Sequence, residues 1–106
     1  MGFFKNHRML TVNEGINRAR TEKNAELLDI RTKESFKKGH IAGSISVPMD
    51  KLEQVKTKIP STDTTIYVVG DFDNNPKKAA RELRKMGYAN VVPSGNMEEH
   101  QGFLKK

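Results

Sequence analysis

Short apolar runs separated by helix-length segments are the feature that most restricts how this chain of 106 residues can fold. Residues 26–30 and 65–69 are rich in aliphatic side chains and are predicted to be buried strands. Residues 45–47 and 89–92 are predicted to be two further strands. Strands that alternate with helices pair in parallel, and the helices cover both faces of the sheet. The sequence therefore predicts an α/β fold, an open parallel sheet of about five strands flanked by helices on both faces.

Capping residues predict where the helices begin. Thr11 and Glu14 have the spacing of a capping box, in which a hydroxyl and a carboxylate each accept a hydrogen bond from a free backbone amide. Thr32 and Asp50 are expected to cap two further helices. Asn75 is a favourable cap for a fourth, because it precedes a proline that needs no amide partner.

Glycine and the apolar pattern predict how these segments end. Gly39 is expected to end the second helix in a left-handed conformation, and Gly87 follows the fourth. Residues 97–104 are predicted to form a final helix. Since no long linker or internal repeat divides the chain, residues 1–106 are predicted to be a single domain.

Composition narrows the class of protein. With 35% hydrophobic and 30% charged residues, the chain has the composition of a folded domain. No apolar run approaches the roughly 20 residues of a spanning helix, and residues 1–5 are too short for the core of a secretory signal. The chain has no cysteine, which fits a reducing compartment. A cytoplasmic protein without membrane association is therefore expected.

Residues 28–48 carry a more specific pattern. Leu-Asp-Ile-Arg at residues 28–31 is followed by an acidic and aromatic segment and then by Gly-His-Ile-Ala-Gly at residues 39–43. This order resembles the rhodanese sulfurtransferase family, and the resemblance extends over about residues 10–102. It implies a rhodanese-like three-layer sandwich. The residues that carry the family's structural motif are Asp29, Arg31, Gly39, His40 and Gly43.

The resemblance also locates the family's active-site loop. Counting back from the Ala-Ala pair of the long helix places Gly70 at the position of the catalytic cysteine. Asp73 and Asn75 stand where an active relative has a glycine and an arginine. The family's cysteine carries sulfur as a persulfide, and this chain has no thiol to do so. The resemblance therefore implies a rhodanese-like protein that is inactive as a sulfurtransferase.

The same loop is a candidate binding site on physical grounds. It follows a central strand and precedes a helix, and backbone amides at such a position favour anions. Asp71 and Asp73 oppose this preference with their own charge. Phe72 either anchors a partner or folds back onto the sheet. We therefore predict a binding or regulatory module whose loop takes a protein partner or a small anionic ligand. The predicted loop consists of Gly70, Asp71, Phe72, Asp73, Asn74 and Asn75.

Catalytic and metal roles are not favoured for the remaining polar residues. Asp71, Asp73 and Asn75 have the spacing that opens a calcium loop, but Pro76 stands where that loop needs glycine. These residues are therefore interpreted as turn formers, and no metal or cofactor is predicted. His40 is interpreted as a structural hydrogen-bonding residue, and Asp29 with Arg31 as an architectural pair.

Two other functions are kept as alternatives. The first is a residual thiosulfate sulfurtransferase that borrows a cysteine from a partner, which rests on the resemblance alone. The second is a nucleic-acid binder, suggested by the net charge of +6. A solvated helix face is favoured over it, because no aromatic residues interleave with the basic ones. The basic helix residues are Lys77, Lys78, Arg81, Arg84 and Lys85.

Overall fold

The structure is a computed structural model that describes residues 9–100 and 102–106. It confirms the α/β fold with an open sheet, in which every strand pairs in parallel with its neighbours. The described residues contain four strands, one fewer than the approximate number predicted, in the order β2-β1-β3-β4. The strands are β1 (Ala25–Asp29), β2 (Ile45–Ser46), β3 (Thr65–Gly70) and β4 (Val91–Asn96).

Helices cover both faces of this sheet, as predicted. One α-helix packs against β1, β3 and β4 on one face, and two others contribute side chains to the core of the opposite face. The described residues also contain two short 3-10 helices, and the first runs directly into an α-helix. The α-helices are α1 (Val12–Thr21), α2 (Lys33–Lys38), α3 (Val55–Lys58) and α4 (Pro76–Lys85), and the 3-10 helices are Met49–Gln54 and Met97–Glu99.

Strand β3 contributes side chains to the core on each face of the sheet. Its side chains alternate, because successive residues of a strand point to opposite faces. Ile66 and Val68 belong to the core beneath α3 and α4, whereas Tyr67 and Val69 belong to the core beneath α1. All four are at most 3% exposed. A continuous apolar run is what a parallel strand covered on both faces requires.

The predicted helix starts at residues 11, 32 and 75 are confirmed. Thr11 Oγ1 accepts a hydrogen bond from the Glu14 amide at 3.1 Å, and the Glu14 carboxylate accepts one from the Thr11 amide at 2.9 Å. Thr32 caps α2, and Asn75 Oδ1 accepts a hydrogen bond from the Lys77 amide at 2.8 Å. The last of these contacts ties the predicted binding loop to the first turn of α4.

Gly39 ends α2 as its C-cap, as predicted, but its predicted conformation and the predicted cap at Asp50 are wrong. Gly39 has a φ of 169°, which is extended and not left-handed. Its conformation is set by later contacts, since Leu104 packs against its α-carbon and its carbonyl accepts a hydrogen bond from Arg31. Asp50 is not an N-cap, because the 3-10 helix starts after Pro48 without a side-chain cap.

The C-terminal segment also differs from its predicted structure. A helix was predicted for residues 97–104, of which residue 101 lies outside the described residues; the described ones form a 3-10 turn at Met97–Glu99 and no α-helix. Further on, Lys105 pairs with His40 in an antiparallel bridge, with N···O distances of 2.9 and 2.6 Å. Gly102 has a φ of 151°, which interrupts a helix. The strand predicted over residues 89–92 instead begins at Val91 and continues to Asn96.

The Tyr67 hydroxyl connects β3 to the residue that follows α1. It donates a hydrogen bond to Glu22 Oε1 at 2.5 Å. Burial raises the pKa of Tyr67 to about 12, and the hydrogen bond and negative charge of Glu22 add to this effect. The folded state therefore keeps the Tyr67 proton at pH values where an unfolded chain releases it.

This difference predicts a loss of stability at alkaline pH. The contribution of Tyr67 is fully present below pH 10.0 and is lost as the pH rises to about 12. We expect the free energy of unfolding to fall by about 2 kcal/mol over this range through Tyr67 alone. Urea unfolding of the natural chain and of Tyr67→Phe at several alkaline pH values measures the effect. Equal losses in the two proteins would contradict it.

Candidate functional site

The predicted binding loop is a compact turn at the carboxyl edge of the sheet. Strand β3 ends at Gly70 and α4 begins at Pro76. Within the loop, the amide of Asp71 donates to the carbonyl of Asn74 at 3.1 Å, and the amide of Asn74 donates back at 3.2 Å. The two backbone hydrogen bonds bring Asn74 over the end of β3.

This turn leaves no room for a side chain at residue 70. A β-carbon added to Gly70 would lie 2.0 Å from the carbonyl oxygen of Asn74 and 3.0 Å from Cδ of Pro76. The shorter distance is far below van der Waals contact, and the oxygen belongs to the backbone. The position that the resemblance assigns to a cysteine is therefore closed by the loop itself.

Backbone amides of the loop donate to carboxylates of the same chain. Asp71 Oδ1 accepts hydrogen bonds from the amides of Asp73 and Asn74, at 3.1 and 2.8 Å, and from Asn74 Nδ2 at 3.1 Å. Glu98 Oε2 accepts one from the amide of Phe72 at 3.2 Å. Such amides are the groups that bind an external anion at a strand-to-helix loop. An incoming anion would have to displace these carboxylates.

Phe72 lies at the outside of this loop and is 82% exposed. The alternative that its ring folds back onto the sheet is therefore wrong. Two other large apolar side chains in the described part of the chain are exposed, Phe103 and Leu104. Leu104 borders a cavity on the loop side, so the loop and the C-terminal segment face each other.

Asp29 and Arg31 form a buried ion pair behind the loop. The carboxylate of Asp29 accepts hydrogen bonds from the Arg31 amide, Nε and Nη2 at 2.8 to 3.1 Å. Arg31 Nη2 also donates to the carbonyl of Gly39 at 2.8 Å. The two residues are 1% and 8% exposed. The pair fixes the end of β1 to the segment after α2, and Asp29 balances the charge of Arg31.

His40 and Gly43 lie outside the loop. The ring of His40 stacks on Phe36 with a centroid distance of 3.8 Å, and its Nδ1 lies 2.8 Å from the Phe36 carbonyl. Gly43 has a φ of 85° in a turn, and it borders a different cavity, on the α1 side. The structure thus joins Arg31 and Gly39 to the candidate site and keeps Gly43 apart from it.

A cavity of about 230 Å³ lies between the loop and the C-terminal segment. Glu98 and Leu104 were not predicted as site residues, because both lie in a segment that was predicted to be helical. No local pattern marks them, since their contacts with residues 72 and 39 are made across the fold. The cavity is lined by Arg31, Ser35, Asp71, Met97, Glu98 and Leu104.

Residues 9–100 and 102–106 contain neither a metal-binding cluster nor a helix that could span a membrane. In that part of the chain no group of three or more His, Asp or Glu residues could hold a metal ion. None of its helices has the length and apolar character needed to cross a membrane. The basic residues of α4 are exposed on one face, and Lys85 pairs with Glu82 at 3.7 Å.

Comparison with known proteins adds independent findings. A model of the rhodanese-like domain family matches residues 11–94. The adenylyltransferase and sulfurtransferase uba4 of Ogataea parapolymorpha is 35% identical over 66 residues, which are 62% of this chain and 17% of that protein. The protein YqhL of Bacillus subtilis is 33% identical over 82 residues, which are 76% of this chain and 64% of that protein. The chain thus spans less than two thirds of either relative.

A solved structure shows the same fold. The protein SSP1007 of Staphylococcus saprophyticus superposes with a TM-score of 0.72 at 20% sequence identity. The alignment covers 93% of this chain and 99% of that one. The likeness therefore extends beyond residues 11–94 to nearly the whole chain.

Proposed function

This chain belongs to the rhodanese-like domain family, and we propose that it is a binding module of that family and not a sulfurtransferase. The observation that carries the proposal is the closed loop. It occupies the space of a side chain at Gly70 while it presents Phe72 to solvent at 82% exposure. A site that has lost its reacting position but displays an aromatic side chain is suited to recognition.

The chemistry of the loop supports this proposal. Sulfur transfer through a persulfide needs a thiolate, which the chain does not contain. It also needs amides and a helix dipole to stabilise that thiolate, and here loop amides donate to Asp71 and Glu98. The nucleophile is therefore absent, and the loop amides that would stabilise it donate instead to carboxylates of the same chain.

A protein partner is favoured over a small anionic ligand. The carboxylates of Asp71 and Glu98 already accept hydrogen bonds from the loop amides, so an anion would have to displace them in order to bind. An exposed phenylalanine, in contrast, supplies the kind of anchor that dominates the energy of protein interfaces. Titration of thiosulfate and phosphate, followed by NMR over residues 70–78, separates the two occupants. Saturable shifts confined to these residues would favour the anion.

Phe72 is expected to be central to binding. Replacing it with alanine should weaken capture of the partner by about thirtyfold, since truncation of an interface anchor costs about 2 kcal/mol or more. Native-extract pull-downs with quantitative mass spectrometry would compare the natural chain with Phe72→Ala. Phe103→Ala is the matched control, because Phe103 is a fully exposed phenylalanine outside the loop.

One result of this pull-down would contradict a role for Phe72 in binding. If Phe72→Ala recovers the same proteins in the same amounts as the natural chain and Phe103→Ala, the loop does not carry binding. The partner-assisted sulfurtransferase is tested separately by thiocyanate production from thiosulfate and cyanide, with and without cell extract. If no thiocyanate forms with or without extract, the partner-assisted sulfurtransferase is excluded.

A further inference from the structure

We infer that the loop-side surface recognises a basic segment of a protein partner, in which a lysine or arginine stands next to a large apolar residue. This inference rests on the proposed binding function and names the chemistry of the partner. The loop-side surface consists of Phe72 and the neighbouring cavity, whose apolar lining residues are Met97 and Leu104.

Two large apolar side chains of this surface are exposed to solvent. Phe72 is 82% exposed and Leu104 is 39% exposed, whereas Met97 is only 8% exposed. Exposed aromatic and aliphatic side chains around a depression are typical of interaction surfaces. The Phe72 amide donates to Glu98, which borders the cavity together with Leu104, so a segment that enters the cavity passes next to Phe72.

The size of the cavity limits what can enter it. Its volume is about 230 Å³, below the roughly 300–1,000 Å³ of pockets that hold cofactors or drug-sized ligands. It is large enough for one side chain that enters from an adjoining segment. The occupant is therefore expected to be part of a larger molecule that also covers Phe72.

The charge of the cavity selects the side chain. Asp71 and Glu98 each use one carboxylate oxygen for loop amides, and in the described part of the chain Asp71 Oδ2 and Glu98 Oε1 accept no hydrogen bond. Arg31 also borders the cavity, but Asp29 balances its charge. The uncompensated charge is thus negative.

Lysine and arginine side chains are complementary to a cavity that has both apolar and acidic lining residues. Each has an aliphatic stem that packs on apolar surface and a cationic head that remains with polar groups. The stem would contact Met97 and Leu104, and the head would donate to the free oxygens of Asp71 and Glu98. The neighbouring apolar residue of the partner would then pack against Phe72.

Glu98 provides a sharp test. Selection of a phage-displayed random peptide library on the full chain should enrich peptides with lysine or arginine beside a large apolar residue. Glu98→Gln should weaken their binding by about two- to fivefold, the effect of an exposed ion pair. Glu99→Gln is the matched control, because Glu99 is also exposed but does not border the cavity. Its binding should not change.

The results separate this inference from the proposed function. Peptides that need Phe72 but are acidic or neutral, or that bind Glu98→Gln as well as the natural chain, would overturn the inference and leave the binding function standing. Peptides that ignore Phe72 would overturn both. Self-association that depends on concentration and that Glu98→Gln abolishes would identify a second copy of this chain as the occupant. It would overturn the inference that the occupant belongs to a different protein.

Discussion

Replacing Arg31 with alanine is expected to lower the free energy of unfolding by about 3–5 kcal/mol, a large part of the stability of a small domain. The carboxylate of Asp29 is 1% exposed and receives its balancing charge from Arg31. Removing the guanidinium leaves a buried charge without its partner and the Gly39 carbonyl without its donor. Urea denaturation followed by circular dichroism measures the loss.

Arg81→Ala is the matched control for this change. Arg81 lies on the exposed face of α4, where substitutions usually change stability by about 0.5 kcal/mol or less. The double variant Asp29→Ala with Arg31→Ala should lose less than the sum of the single variants, because it removes both charges together. Additive losses would show that the two side chains are not coupled.

Replacing Gly70 with cysteine is expected to destabilise the protein and to restore no sulfur transfer. The new β-carbon would lie 2.0 Å from the Asn74 carbonyl oxygen. Either the turn opens or the end of β3 shifts, at a cost of about 3 kcal/mol. The thiol would also lie among carboxylates, which oppose formation of a thiolate. Urea unfolding and a thiosulfate–cyanide assay measure the two effects.

Ala42→Cys is a suitable control for the added thiol. Ala42 is exposed, so the same group can be accommodated there without a clash. Its stability should stay close to that of the natural chain. If Gly70→Cys is equally stable and produces thiocyanate, the loop opens easily and the protein is one substitution away from a sulfurtransferase.

The sequence predicted the sheet well because its signals are local. The runs at residues 26–30 and 65–69 are rich in aliphatic side chains, and the caps at Thr11 and Asn75 need only neighbours three or fewer residues away. Family resemblance also placed the loop between β3 and α4, where the structure has it. Periodicity and capping are therefore sufficient for the elements that surround the site.

The candidate site was predicted less completely because distant segments build it. Glu98 reaches the Phe72 amide across 26 residues, and Leu104 contacts Gly39 across a longer interval. Residues 97–104 were predicted to be helical, but backbone hydrogen bonds between His40 and Lys105 hold the end of this segment against a distant part of the chain. Charge pattern alone also could not show that loop amides are already occupied.

The bridge between His40 and Lys105 has a consequence for local stability. Two backbone hydrogen bonds hold a segment whose residues 103–106 are exposed, whereas β3 is buried on both faces. Segments of this kind open at far lower free energy than central strands. We expect the amides of His40 and Lys105 to exchange with deuterium much faster than those of β3. Local opening of this segment would therefore move Leu104 out of the cavity lining while the sheet stays folded.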